Sequence, residues 1–556
     1  MKLLIITISS ILIATTAGDV GITFSGGGFR AHAVATGVVA GLANTAGDGQ
    51  TKLTELFKHT DLIGSNSGGS WFFSQLGYSS NFVNMIGLIS DQNGNTKNAS
   101  SIYYDQWVVP FITNPRISRI SAFSDSNGII EDLIGRVLEI LGIGQSWFML
   151  ISNVIRAGLT WQDFVQSIID IPGDVNSTAS LAFSTPNSWC MNKIWAIAGA
   201  IVSPSTSNKH GGFGAFSSNC DSTANSFTYK VKETFSAGIS IPVTFSTVMG
   251  SQSASPFPFI PETTTLTPTY DIMSKPSLLY PLGRKARTID FNETVVPGPG
   301  MNSNKVSLHD AVATSSAFLA QVLSIYESLN PYISIIALVP GLLTAVLDLT
   351  VRFAAHPSVD PQAAFYTGEQ LVNPRNGQSC SEWHEDVAKN HVMTLSDGGY
   401  IDNTAISNIV ASASNNSDIT VVMNTKSMDI NDYYTAFQSD VDGIDVVFTR
   451  LPIFEQTKTF AKEMFETTFA SLKTVADASV LNTILFGSVP VITSNQPYFG
   501  IQAGKHLLVN FVIVDTNMDL VALDWKDPAK LVGEISSTFQ SSENLQAVET
   551  IKSWLH

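Results

Sequence analysis

Short apolar runs, each followed by a turn-rich segment and then by apolar residues at helical spacing, recur near the start of the chain. Asp19-Val20-Gly21-Ile22-Thr23-Phe24 has the β-rich character of a core strand, and Ala31 to Leu42 carries Ala and Val at helical spacing. Leu53 to Phe57 predicts the end of a helix, His59 to Gly64 a second short strand, and Trp71 to Leu76 the start of another helix. The alternation returns late in the sequence. Ile419 to Met423, Val446 to Phe448 and Leu507 to Val514 predict strands, Ala461 to Val475 and Asp527 to Val532 helices, and Ser537 to His556 a final surface helix. Alternation of this kind predicts an α/β fold with a three-layer α/β/α core.

The middle of the chain has a different texture. Ser203 to Phe227 and Ser251 to Thr269 are Ser/Gly/Pro/Thr-rich loops, whereas Ile129 to Ile155 and Tyr332 to Val351 are unusually apolar. Either apolar stretch suits a buried helix, a lid helix or a lipid-touching face. Arg136, Glu139, Pro340 and Asp348 interrupt them, and a membrane span needs about 20 nearly uninterrupted apolar residues, so no stable transmembrane anchor is expected.

Candidate chemistry sits at the strand-to-helix junctions. Ser25-Gly26-Gly27-Gly28-Phe29-Arg30 joins the first strand to the first helix, so its glycines can turn backbone N–H groups toward an anion near a helix N-terminus. Ser67-Gly68-Gly69-Ser70-Trp71 lies at the next such junction, the setting of a nucleophile elbow, although Ser65 stands where the usual first glycine would be. Ser65 and Ser70 compete with Ser67 for the nucleophile's place. Nine histidines leave a Ser-His-Asp arrangement open by count, but His32, His59 and His309 read best as ordinary surface or core residues. Asp397-Gly398-Gly399 ends a further apolar strand, Thr394-Leu395-Ser396, and by itself is a turn signal.

These segments taken together resemble the three signature segments of the patatin-like and cytosolic phospholipase superfamily, in the form found in secreted phospholipase B or lysophospholipase enzymes. His309 to Phe318 is similar to the Ala/Ser-rich helix beside the catalytic centre there, and the order along the chain agrees. The resemblance implies a serine–aspartate pair: Ser67 as nucleophile, Asp397 as base, Gly26, Gly27 and Gly28 as oxyanion hole, and Arg30 as loop stabiliser or phosphate ligand. It implies hydrolysis of fatty-acyl esters of phospholipids or lysophospholipids at a membrane or micelle surface, through an acyl-enzyme and without metal or organic cofactor. Neutral-lipid hydrolysis, acyl transfer by the same pair, and a catalytically inactive lipid-binding or storage protein are the alternatives. The 329 residues between Ser67 and Asp397 imply a large insertion. The expected organisation is therefore a signal peptide at 1–18, a first part of the catalytic core at 19–80, an inserted cap at 81–385 with a core helix near 307–329, and a second part of the core at 386–556.

Composition sharpens this in three ways. Charged residues make up 14% of the chain, below the roughly 25% usual for soluble proteins, which suits a protein that meets lipid. A net charge of −16 with no basic stripe argues against nucleic acid. Met1-Lys2, the apolar run from Leu3 and small residues near Ala17 read as a secretory signal, so a secreted or lumenal protein is expected. Sequons at Asn98, Asn176, Asn292 and Asn415 are compatible with glycosylation. Of the cysteines Cys190, Cys220 and Cys380, the first two are nearest in sequence and would pair if any do.

Overall fold

A computed structural model gives the fold. It describes residues 18–117, 159–202 with short gaps, 240–250, 307–317, 392–427, 468–519 with one gap, 524–556, and several shorter segments between these. The signal segment, both long apolar stretches, the expected strand at 446–448 and the loops at 203–227 and 251–269 fall wholly or almost wholly outside the described residues.

The core is a mixed, mostly parallel sheet with helices on both faces. β1 (Val20–Phe24) lies at its centre, parallel to β2 (Thr60–Ser65) on one side and to Ser417–Lys426 on the other. His506–Thr516 continues the parallel set, and Leu481–Ile492 and Ala470–Leu472 close that edge antiparallel. On the far side β2 is followed by β3 (Ile194–Val202), which runs parallel to it.

Alternation along β1 explains the layers, because successive side chains leave opposite faces of a strand. Phe24 meets Phe72 with ring centroids 5.0 Å apart, so that face is covered by α3 (Ser67–Tyr78). Gly21 points the other way, where an added Cβ would stand 2.8 Å from Ile409 of the helix Ile406–Ser412. Glycine lets that helix approach closely. On the Phe24 side, α1 (Gly28–Leu42) packs between α3 and the helix Lys526–Gln540, and α2 (Gly49–Leu56) follows α1 and leads into β2. The observed core is thus the expected α/β/α arrangement.

β3 explains how distant parts of the chain converge. Its whole length pairs with Ser240–Val248 on one edge. On the other edge Ile194 to Ile197 pair with β2 and Gly199 to Val202 with the strand Val392–Asp397, which arrives antiparallel. Ser65 is therefore opposite Ile197 and Asp397 opposite Gly199, so two strands meet end to end across Ala198. The segment read as an inserted cap supplies β3 and Ser240–Val248 to the sheet itself.

Three further expectations change. Ala470–Leu472, inside the expected helix 461–475, is a short strand paired with Ile484 to Phe486. Strand Leu481–Ile492 was not expected. The C-terminal segment is not one surface helix: Lys526–Gln540 is largely buried and breaks at Ser541, and Leu545–Ser553 follows. Cys190 is a free, buried thiol, and Cys220 and Cys380 lie outside the described residues.

Candidate active site

The meeting strand ends place a hydroxyl beside a carboxylate. β2 stops at Ser65, Asn66 turns the chain, and Ser67 opens α3 with φ 48°. That left-handed backbone costs a non-glycine residue about 1 kcal/mol and is characteristic of a sharp strand-to-helix turn. Across the gap Asp397 ends its strand and precedes Gly398 and Gly399. The Ser67 side chain stands beside the Asp397 carboxylate and favours its ionised form. Gly399 N–H and Asn66 Nδ2 donate to Asp397 Oδ1 at 2.7 and 3.1 Å. Burial raises the Asp397 pKa to about 6, against the opposing pull of Gly399, Ser67 and Asn66.

The glycine loop stands against the elbow. A Cβ added at Gly26 would lie 3.1 Å from Ser67 Cβ, and one at Gly68 would lie 2.0 Å from the Gly28 carbonyl oxygen. Side chains at either position would force the two turns apart. The three loop amides are not equivalent. Gly26 N–H is committed to the Asn403 carbonyl at 2.8 Å, which removes it from the expected anion-binding set. Gly27 is the N-cap of α1 and Gly28 its first residue, where helix amides lack intrahelical acceptors.

Arg30 faces inward, 3% exposed. Its Nε donates to Asn424 Oδ1 at 2.7 Å, and Asn424 Nδ2 in turn donates to Ser25 Oγ at 2.9 Å and to the Gly26 carbonyl at 2.6 Å. Of the two roles considered for Arg30, this geometry supports the first: it braces the glycine loop through Asn424.

The competing serines are committed elsewhere. Ser65 and Ser70 are fully buried, with their hydroxyls 2.9 Å from each other, and Ser70 is 3.0 Å from Ser315 Oγ. No contact joins the three histidines to Ser67. His32 bonds Gln75 at 2.7 Å and Tyr103 at 2.9 Å inside the aromatic core, His309 lies 2.8 Å from the Ser177 carbonyl, and the ring of exposed His59 lies tilted 5.9 Å from that of His556.

Sequence reasoning missed Asn66, Ser315 and Asn424. Asn424 had a usable signal: it is a polar residue near the C-terminal end of the apolar run Ile419 to Met423. In open α/β sheets ligands bind beyond the carboxyl ends of parallel strands, and Ser25, Asn66 and Asn424 all lie at such ends.

Residues 20–114 match the lysophospholipase catalytic domain family, a span that takes in β1, the glycine loop, β2 and the whole of α3. The phospholipase B and lysophospholipase resemblance carried by the motifs is thus met by an independent match over the first part of the core. No curated protein matches the chain. Among the described residues no helix is long and apolar enough to cross a membrane.

Proposed function

We propose that this protein is a serine acyl hydrolase that cleaves fatty-acyl esters of phospholipids or lysophospholipids with a Ser67–Asp397 pair. The family match supports lipid-ester hydrolysis as the general activity. The observation that carries the finer reading is the convergence of the Ser67 turn on a buried carboxylate, with Asn66 bonded to Asp397 at 3.1 Å and the glycine loop packed on the same turn.

In the first half-reaction Asp397 takes the Ser67 proton as Oγ attacks the ester carbonyl. The oxyanion that forms is received by the Gly27 and Gly28 amides, with help from the dipole of α1. Collapse expels the lysolipid or glycerophospho alcohol, which takes the proton from Asp397 and leaves an acyl-Ser67 ester. Water then attacks that ester, Asp397 accepts its proton, and Ser67 leaves with the proton returned, releasing the fatty acid. A carboxylate with a pKa near 6 is a better base than an ordinary aspartate and is still mostly ionised at neutral pH.

Fatty acid release from lysophosphatidylcholine micelles and phosphatidylcholine vesicles tests this reading. Wild-type protein should release fatty acid, and Ser67→Ala should reduce the rate by about 10⁴-fold or more. An unchanged rate in Ser67→Ala would refute the assignment.

A further inference from the structure

Beneath the elbow a series of polar groups runs in one direction only. Trp195 Nε1, which can only donate, bonds Ser65 Oγ at 2.9 Å. Ser315 Oγ donates to Asn66 Oδ1 at 3.3 Å, an atom that can only accept. Each hydroxyl has a single proton, so the links between these two ends are fixed. Ser315 spends its proton on Asn66, hence Ser70 donates to Ser315, and Ser65 donates to Ser70. Neither Ser65 nor Ser70 keeps a proton for any other partner.

The consequence falls on the Asn66 amide. Its Nδ2 faces Asp397 Oδ1 at 3.1 Å and Asn403 Oδ1 at 3.4 Å, two acceptors that call for a donor. The opposite orientation would set a carbonyl oxygen against an ionised carboxylate and reverse the series, so that the surplus proton falls on Ser65, which already faces the donor Trp195 Nε1. Ser315 and Asp397 therefore favour the same orientation of Asn66, one by donating to its Oδ1 and the other by accepting from its Nδ2. The same Ser315 oxygen accepts the Ser67 N–H at 2.9 Å. One hydroxyl on the helix Leu308–Ser315 thus touches both Asn66 and Ser67.

We propose that Asn66 is a positioning residue for Asp397, aiming the carboxylate at Ser67, and that Ser315 acts through Asn66 by fixing its amide. This rests on the reading of Ser67 and Asp397 as the catalytic pair. Asp397 Oδ1 accepts from both Gly399 and Asn66, and these two donors set the rotation of the carboxylate. A donor on Oδ1 also favours the ionised carboxylate, so its removal pushes the Asp397 pKa further up.

The test is the pH profile of kcat/KM on p-nitrophenyl butyrate, measured for wild type, Asn66→Leu, Ser315→Ala and the double variant. Thermal unfolding and fluorophosphonate labelling of Ser67 accompany each profile. The wild-type acid limb should fall near pH 6. In Asn66→Leu it should move up by about one pH unit, the scale of losing one hydrogen bond to a charged group. Ser315→Ala should shift it in the same direction by less, and the double variant no further than Asn66→Leu. A merely structural role would lower the folded fraction without moving the limb. Folded variants with the acid limb where wild type has it overturn the proposal, and if Asn66→Leu does not fold, Ser315→Ala alone decides in the same way. Failure of the underlying pair looks different: fluorophosphonate would then not label Ser67 in the wild type.

Discussion

The two strand ends that meet across Ala198 are held by different forces. The Ser67 end is wedged by aromatic packing: Trp71, Phe72 and Phe73 follow it directly, all fully buried, with Trp71 5.2 Å from Phe29 and Phe24 against Phe72. Such packing is non-directional and strong in aggregate. The Asp397 end is held by aimed hydrogen bonds, from Gly399 and Asn66 to its carboxylate and from Thr404 and Ser407 to the buried Asp402 just beyond. Packing fixes where the hydroxyl sits; hydrogen bonds fix where the carboxylate sits and also how readily it ionises. Damage to the first arm should therefore appear as lost stability, and damage to the second as an altered pH profile.

The largest break expected is on the packed arm. Trp71→Ala removes a fully buried indole whose Nε1 also donates to Ser316, and should destabilise the protein by about 3–5 kcal/mol in denaturant unfolding. His32 tests the same arm by pH. It is buried among Phe72, Phe82 and Trp107, and burial lowers its pKa to about 4 from the 6.5 of an exposed histidine. Between those values the unfolded chain binds a proton that the folded chain does not, so stability falls as pH drops from 6.5 toward 4. At about 1.4 kcal/mol per tenfold step the loss is on the order of 3 kcal/mol, and unfolding midpoints measured across that window should show it. Destabilisation recovers on return to neutral pH, whereas the acid limb assigned to Asp397 acts on the folded enzyme.

Arg30→Lys sharpens the comparison, because it leaves the charge but loses the planar Nε donor that braces Asn424. Activity should fall by up to about 10²-fold, as expected for a misplaced loop, and equally on phospholipid and on an uncharged nitrophenyl ester. A loss confined to phospholipid would return Arg30 to the phosphate role. The smallest effect belongs to the hydrogen-bonded arm. Ala405 has φ 56°, so Ala405→Gly should relieve strain and raise stability by less than about 1 kcal/mol, part of the gain being offset by the freer unfolded chain.

What the sequence disclosed follows the same division. The packed arm was legible because strand, glycine turn and helix lie within sixty residues, so local punctuation places the glycine loop and the elbow, while the choice of Ser67 over Ser65 and Ser70 came from the resemblance. Asp397 was legible by resemblance, since Asp-Gly-Gly alone reads as a turn. The route that joins them was not legible: β3 lies in a stretch that resembles an insertion, and nothing local shows that it pairs with both strands. Asn66, Ser315 and Asn424 gave little warning because their roles depend on partners 249 to 399 positions away. Ala470–Leu472 is a strand only by virtue of its neighbour, and three residues carry no periodicity of their own.

Fluorophosphonate labelling of the purified full-length protein at pH 7, followed by peptide mapping, tests the central claim most directly when wild type is compared with Asp397→Asn. The account predicts a single labelled site at Ser67 in the wild type. In Asp397→Asn, with an unchanged melting temperature, that labelling should be slowed by about 10²–10⁴-fold. A label on any other serine, or labelling of Ser67 at the wild-type rate in Asp397→Asn, would contradict it.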